Sequence, residues 1–193
     1  MAKGLGGCGA IGAGQGTPDL EARPADQVLP AQPPTYERVT LPRAIVHVVT
    51  IPDPVHYPLQ VAVSPDLAPV DQLAAQVCPG EGCVIAAMNA GFFDPVNGLT
   101  TAYVVKDGVV VADPTHNPRL MDNPNLTAYL EQILNRSEFR RYDCGGSPQY
   151  AITAHRQPPP AGCRLVDAVG AGPQLLPLDT SVAEGFIDRT TTP

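Results

Sequence analysis

Proline and glycine interrupt this chain so often that it reads as a loop-rich domain of short elements joined by turns. There are 23 prolines and 18 glycines among 193 residues, about a fifth of the chain. Proline removes a backbone donor and glycine costs chain entropy, so each tends to end or bend an element. The fraction still lies below the roughly 25–30% at which a whole chain reads as disordered. With 44% apolar residues and a mean hydropathy of −0.03, a core is within reach if short elements and many turns build it. No apolar run approaches the roughly 18 residues of a membrane-spanning helix. The net charge is −7 and no basic stripe is present, so nucleic acid is not an expected partner.

The punctuation is uneven along the chain. Residues 1–42 hold six Pro and seven Gly with almost no apolar periodicity, and read as a disordered leader or linker. Its two G-x-G-x-x-G matches, Gly4-Gly6-Gly9 and Gly7-Gly9-Gly12, have no room for a preceding strand, which excludes a dinucleotide site. Leu5-Gly6-Gly7-Cys8 resembles a lipobox, whose apolar segment would lie upstream of Met1. Either the chain belongs to a longer exported lipoprotein, or so short a match is fortuitous in a Gly-rich stretch. Membrane contact is expected only through lipidation at Cys8.

From residue 43 the pattern changes to short apolar runs, and 43–193 reads as one domain. Ala44–Val49, Leu59–Val63, Cys83–Met88 and Leu165–Val169 have the composition of strands, the last two of buried ones. Val70, Leu73 and Val77 recur at helical spacing, which predicts a helix over 69–77 with Asp66 as its cap. Leu126, Tyr129, Leu130, Ile133 and Leu134 predict a second over 124–134, capped by Asn123. Asp107-Gly108 between Tyr103–Val105 and Val109–Val111 is a hairpin signal. Phe139–Tyr142 and Tyr150–Ala154 form another across Gly145-Gly146. Helices and strands mix without regular alternation, so the expected class is α+β, a mixed sheet with a few flanking helices.

Four of the five cysteines form close pairs, Cys78 with Cys83 and Cys144 with Cys163. Neither pair has C-x2-C spacing and no His lies beside them. Two disulfides are the expected state, in keeping with an oxidising compartment. A single metal site built from four thiolates, or free thiols, are the alternatives.

No nucleophile elbow, P-loop or zincin motif occurs. His47, within the first strand, reads as a packed or edge residue. The unusual stretch is Asn89-Ala90-Gly91-Phe92-Phe93-Asp94, which follows the most buried-looking run and enters a loop. It reads either as a turn capped by Asp94 over an aromatic plug, or as a polar pair, Asn89 and Asp94, presented at a sheet mouth.

This stretch resembles the Asn-Gly-Gly-Phe-Phe signature of the phosphodiester glycosidase family. The Gly108 hairpin and Gly170-Ala171-Gly172-Pro173-Gln174-Leu175 are similar to later family motifs, in the same order. Residues 112–119 and 135–142 look like those of its cyanobacterial exported subgroup. The resemblance implies hydrolysis of a sugar-1-phosphodiester by an exported periplasmic or envelope protein, with Asn89 and Asp94 as catalytic residues. Gly91, Phe92, Gly170, Gly172, Arg119 and Arg141 would bind substrate, with Arg140 a further phosphate partner. No cofactor is implied, although the polar loop 113–123, with His116, Asn117 and Asp122, leaves a divalent metal open. Two departures stand out: Ala90 replaces a family glycine, and the family's later Arg-Thr-Ala and Asp-Gly-Gly segments have no counterpart before Pro193. The chain is therefore expected to match the first half to two-thirds of such a domain. It would be incomplete at the C-terminal end and impaired in activity, or a non-catalytic carbohydrate- or envelope-binding remnant.

Overall fold

The computed structural model describes residues 31–80 and 82–187. Cys8 with its flanking residues, the glycine-rich matches and Arg189-Thr190 lie outside them.

Order begins earlier than the composition suggests. Strand β1 (Thr35–Leu41) lies inside the stretch read as a leader and pairs antiparallel with β2 (Ala44–Thr50). Tyr36, Val39 and Thr40 suit a strand, and the β-branched run of β2 supplies the ladder their backbone needs. His47 is an exposed hairpin residue, with Nδ1 2.7 Å from the Tyr36 hydroxyl. Both strands are solvated almost throughout; only Val39 is half-buried.

The chain then passes through a proline-rich stretch. The strand expected at 59–63 is absent; Leu59 N–H donates to the Tyr150 hydroxyl at 3.3 Å. Helix α1 (Val70–Val77) forms where expected, but Pro69 stands at its start and no side chain caps it, so Asp66 does not serve. The run 83–88 forms no strand either. Ile85 is 58% exposed and Met88 84%, because no strand pairs with the run to place it in a sheet.

The main sheet has five strands in the order β4-β3-β7-β5-β6. They are β3 (Val104–Lys106), β4 (Val109–Ala112), β5 (Ser137–Cys144), β6 (Ser147–Ala154) and β7 (Arg164–Gly170). The α+β class holds, but every pairing is antiparallel where a mixed sheet was expected. The two hairpin turns have positive φ at both central residues, Asp107 and Gly108 in one, Gly145 and Gly146 in the other. That geometry matches the twist of the flanking strands, which is why Asp-Gly and Gly-Gly sit there.

Helices α2 (Pro118–Met121) and α3 (Leu130–Ile133) are single turns, each preceded by a 3-10 turn. The helix predicted over 124–134 is thus shorter and bent: Asn123 Oδ1 accepts from Asn125 N–H, and only Ile133 of its apolar stripe is buried. The buried apolar residues are Val166 and Ala168 on β7, with Val105, Tyr142, Leu120, Ile133 and Ala102; Ala168 stands opposite Val105 in the sheet.

Charge is buried beside this core. Arg140 Nε donates to Glu138 Oε2 at 2.8 Å, and both side chains are 3% exposed. His155 Nδ1 bonds the other Glu138 oxygen, and its ring stacks on Tyr103 with centroids 3.8 Å apart. A buried pair persists only when its remaining donors are satisfied. Arg140 meets that condition through the Tyr142 hydroxyl and the carbonyls of Gln157 and His155.

Both expected disulfides are present. The Cα atoms of Cys78 and Cys83 are 6.0 Å apart and those of Cys144 and Cys163 4.2 Å. The second ties the β5–β6 turn to the start of β7. The four-thiolate site is thereby ruled out, since each sulfur is bonded to another.

Candidate functional site

The site is built around the C-terminal end of β7. Gly170 N–H donates to Tyr103 O at 2.9 Å, and a Cβ at Gly170 would meet the Cβ of Ala102 at 2.9 Å. The strand can lie this close to the 100–103 segment only without a side chain. Gly91 packs on the same end. Its φ is +56°, and a Cβ there would stand 3.0 Å from Gly170 O. The signature loop and the Gly170-x-Gly172 turn, about eighty residues apart in sequence, therefore meet through glycine backbone.

The loop beyond Gly91 is closed by Asp94. Its Oδ1 accepts from Val96 N–H and its Oδ2 from Arg119 Nε, both at 2.8 Å. The backbone adds Asp94 N–H to Leu99 O and Gly98 N–H to Asp94 O. Arg119 is placed opposite by Asn117, which is 1% exposed. Asn117 Oδ1 accepts from Arg119 N–H and Asn97 Nδ2, while its Nδ2 donates to Thr100 O. The Val96 amide, and then the Arg119 guanidinium, hold the Asp94 carboxyl below its ordinary value. Both carboxylate oxygens are engaged, the geometry of a turn cap. Asn89 is exposed and its side chain bonds to nothing among the described residues.

On the other side of Gly172 lies a cluster that the sequence did not reveal. Gly172 has φ +91°, and a Cβ there would fall 2.2 Å from Glu184 Oε2 and 3.3 Å from the Phe186 ring. The Glu184 side chain is buried and accepts from Ser137 N–H at 3.1 Å and Ser137 Oγ at 2.6 Å, and from Thr180 Oγ1. Arg136 lies with its Cζ 4.0 Å from the Phe186 centroid and 6.0 Å from that of Phe92. The two rings are 6.0 Å apart. Arg136 Nε donates to Glu184 O at 3.3 Å; its two terminal nitrogens have no hydrogen-bond partner among the described residues. Burial pushes the Arg136 pKa down, against the pull of the Glu184 charge, and the group stays a cation.

The structure thus brings Gly91, Phe92, Gly170 and Gly172 together, with Asp94 and Arg119 one loop away. It separates Arg141, which pairs with Asp167 at 2.7 Å nearer the middle of β7. Arg140 is also removed from the site, its donors consumed inside the protein. The polar loop 113–123 does not converge on a metal: Asp113 caps its own turn through Thr115, Asn117 is saturated, and no group of three or more His, Cys, Asp or Glu among the described residues could hold an ion. Arg136, Glu184 and Phe186 escaped sequence reading because each lies far in sequence from the loop it meets. The one local signal was Arg136 at the entry to a strand. Set against known proteins, the chain matches no family model, no curated protein and no solved structure.

Proposed function

We propose that this site binds a sugar-1-phosphodiester and hydrolyses its glycosidic bond, in an exported periplasmic or envelope protein. The observation that carries the reading is the guanidinium fork of Arg136, which lies over the Phe186 ring with Phe92 nearby and with both terminal nitrogens unpartnered among the described residues. A planar fork with free donors suits a phosphate, and the exposed Phe92 ring suits a sugar. The glycines at 91, 170 and 172 let backbone approach an anion without side-chain obstruction. In this reading water attacks the anomeric carbon, the bond from that carbon to the bridging oxygen breaks, and the oxygen leaves with phosphorus as a phosphomonoester anion. Asp94 takes the proton of the attacking water, and Asn89 hydrogen-bonds the sugar. Two disulfides fit export to an oxidising compartment, and no described helix is long and apolar enough to cross a membrane.

One observation favours a second reading, binding without turnover: both oxygens of Asp94, and both of Glu184, already accept hydrogen bonds. The two readings separate in one experiment with the methyl diester of a sugar-1-phosphate. Calorimetry reads binding, and release of reducing sugar reads hydrolysis. Arg136→Gln should weaken binding at least about tenfold, the worth of one charge-assisted contact. Unchanged affinity in Arg136→Gln removes the site from consideration. Binding without sugar release leaves the second reading in place.

A further inference from the structure

A second concavity lies away from the Gly170 end of the sheet, between helix α1 and the β3–β4 turn. It has a volume of about 550 Å³, within the rough 300–1,000 Å³ range of small-molecule sites. One wall is made by Val61, Val63, Leu73 and Val77, with Gln60 and Gln76 set among them. Val63 is among the lining residues and is 41% exposed. The opposite wall carries charge: Lys106, Asp107 and the Arg141–Asp167 pair.

These four charges are not equivalent. Arg141 and Asp167 neutralise each other at 2.7 Å, and Asp167 Oδ1 also accepts from Asp107 N–H at 3.0 Å. The Asp107 backbone has φ +53°, so the hairpin turn and this hydrogen bond hold it in place. The Lys106 ammonium and the Asp107 carboxylate have no hydrogen-bond or ion-pair partner among the described residues. The groove therefore presents one unpaired cation and one unpaired anion, adjacent in sequence, across from the side chains of Val61, Val63 and Leu73.

We infer that this groove binds a zwitterion with an apolar tail, a free α-amino acid of the leucine class. The ligand carboxylate meets Lys106, its ammonium meets Asp107, and its side chain covers Val61, Val63 and Leu73. A simple anion or amine satisfies only one of the two charges, and a polar amino acid leaves those three side chains wet. The Arg141–Asp167 pair acts as a positioning element, since it anchors the turn that carries Asp107.

The test is an NMR titration of the intact chain with four probes: L-leucine, 4-methylpentanoate, isopentylamine and L-serine. Leucine should shift the Lys106, Asp107 and Asp167 amides saturably. The other three should each bind about tenfold more weakly or worse, each lacking one of the three contacts. Lys106→Gln and Asp107→Asn should each weaken leucine about tenfold. Asn tolerates the left-handed backbone of position 107, so that variant keeps the turn. Lys106→Gln should leave isopentylamine unaffected, which a general loss of structure would not. Equal affinity for leucine and either single-charge analogue overturns the proposal, as does the absence of saturable shifts at Lys106 and Asp107. Sugar-phosphodiester binding at Arg136 is measured separately, so either proposal can fail alone.

Discussion

Strand β2 of the β1–β2 hairpin and strand β7 both have the composition of strands and end in opposite environments. Ala44-Ile45-Val46-His47-Val48-Val49 holds four β-branched side chains in six residues and Leu165-Val166-Asp167-Ala168-Val169 two in five, so by composition the hairpin strand is the stronger strand former. Every residue of β2 is exposed, whereas Val166, Asp167 and Ala168 are buried in succession. β7 has a strand on each side, β3 and β5, while β2 has only β1. Strand composition therefore does not decide burial, and the number of pairing partners does. The functional consequence follows from the same count. The candidate site sits at the end of β7, where fixed backbone on both sides holds glycine turns in contact.

The largest test of this contrast is the charge buried beside β7. Arg140→Ala leaves Glu138 without its guanidinium partner and should cost about 3–5 kcal/mol in denaturant unfolding. A loss below about 1 kcal/mol would mean that Glu138 is not enclosed as the sheet implies.

Next comes the bridge that ties the β5–β6 turn to β7. Cys144→Ser should cost about 2–4 kcal/mol, because the bond closes a loop of sequence separation 19. Cys78→Ser should cost less, its separation being 5. Equal losses in thermal melts would place the stability somewhere other than the sheet.

The same substitution in the two strands sharpens the comparison directly. Val166→Thr puts a hydroxyl into the core and should cost about 1–3 kcal/mol. Val48→Thr in the exposed hairpin should change stability by no more than about 0.5 kcal/mol. Matching values would show that the hairpin is covered in solution.

The smallest expected effect is local and depends on pH. Asp94 titrates below 3.8, first because of the Val96 amide and then because of Arg119. Its contribution to loop order is complete above pH 3.8 and is lost as pH falls through its lowered folded value. Carboxyl NMR should give a folded pKa under 3.8, only partly restored by Arg119→Gln. A value at or above 3.8 would dissolve the capped loop that docks beside β7.

Much of the local structure was legible from residues alone, for reasons of range. The Asp107-Gly108 and Gly145-Gly146 turns depend on two residues each, and their positive φ is a property of those residues. Cysteine spacing made the two disulfides readable, Cys78–Cys83 because a turn brings its ends together and Cys144–Cys163 because the pair flanks one strand-and-loop segment. The helix at 70–77 followed from its own periodicity. Partnership was not legible. The run 83–88 has the composition of a buried strand and stays exposed, while Thr35–Leu41, inside a Pro-rich stretch, becomes ordered because β2 pairs with it. Likewise the glycine and aromatic motifs marked the candidate site, yet the cation at its centre, Arg136, was identified only by the folded chain. Its contacts to Phe92, Phe186 and Glu184 span some forty to fifty residues in sequence. Hydrogen-bond geometry and backbone preference act over a few residues and can be read locally. Burial and ion placement depend on which distant segments arrive, and that only the tertiary structure decides.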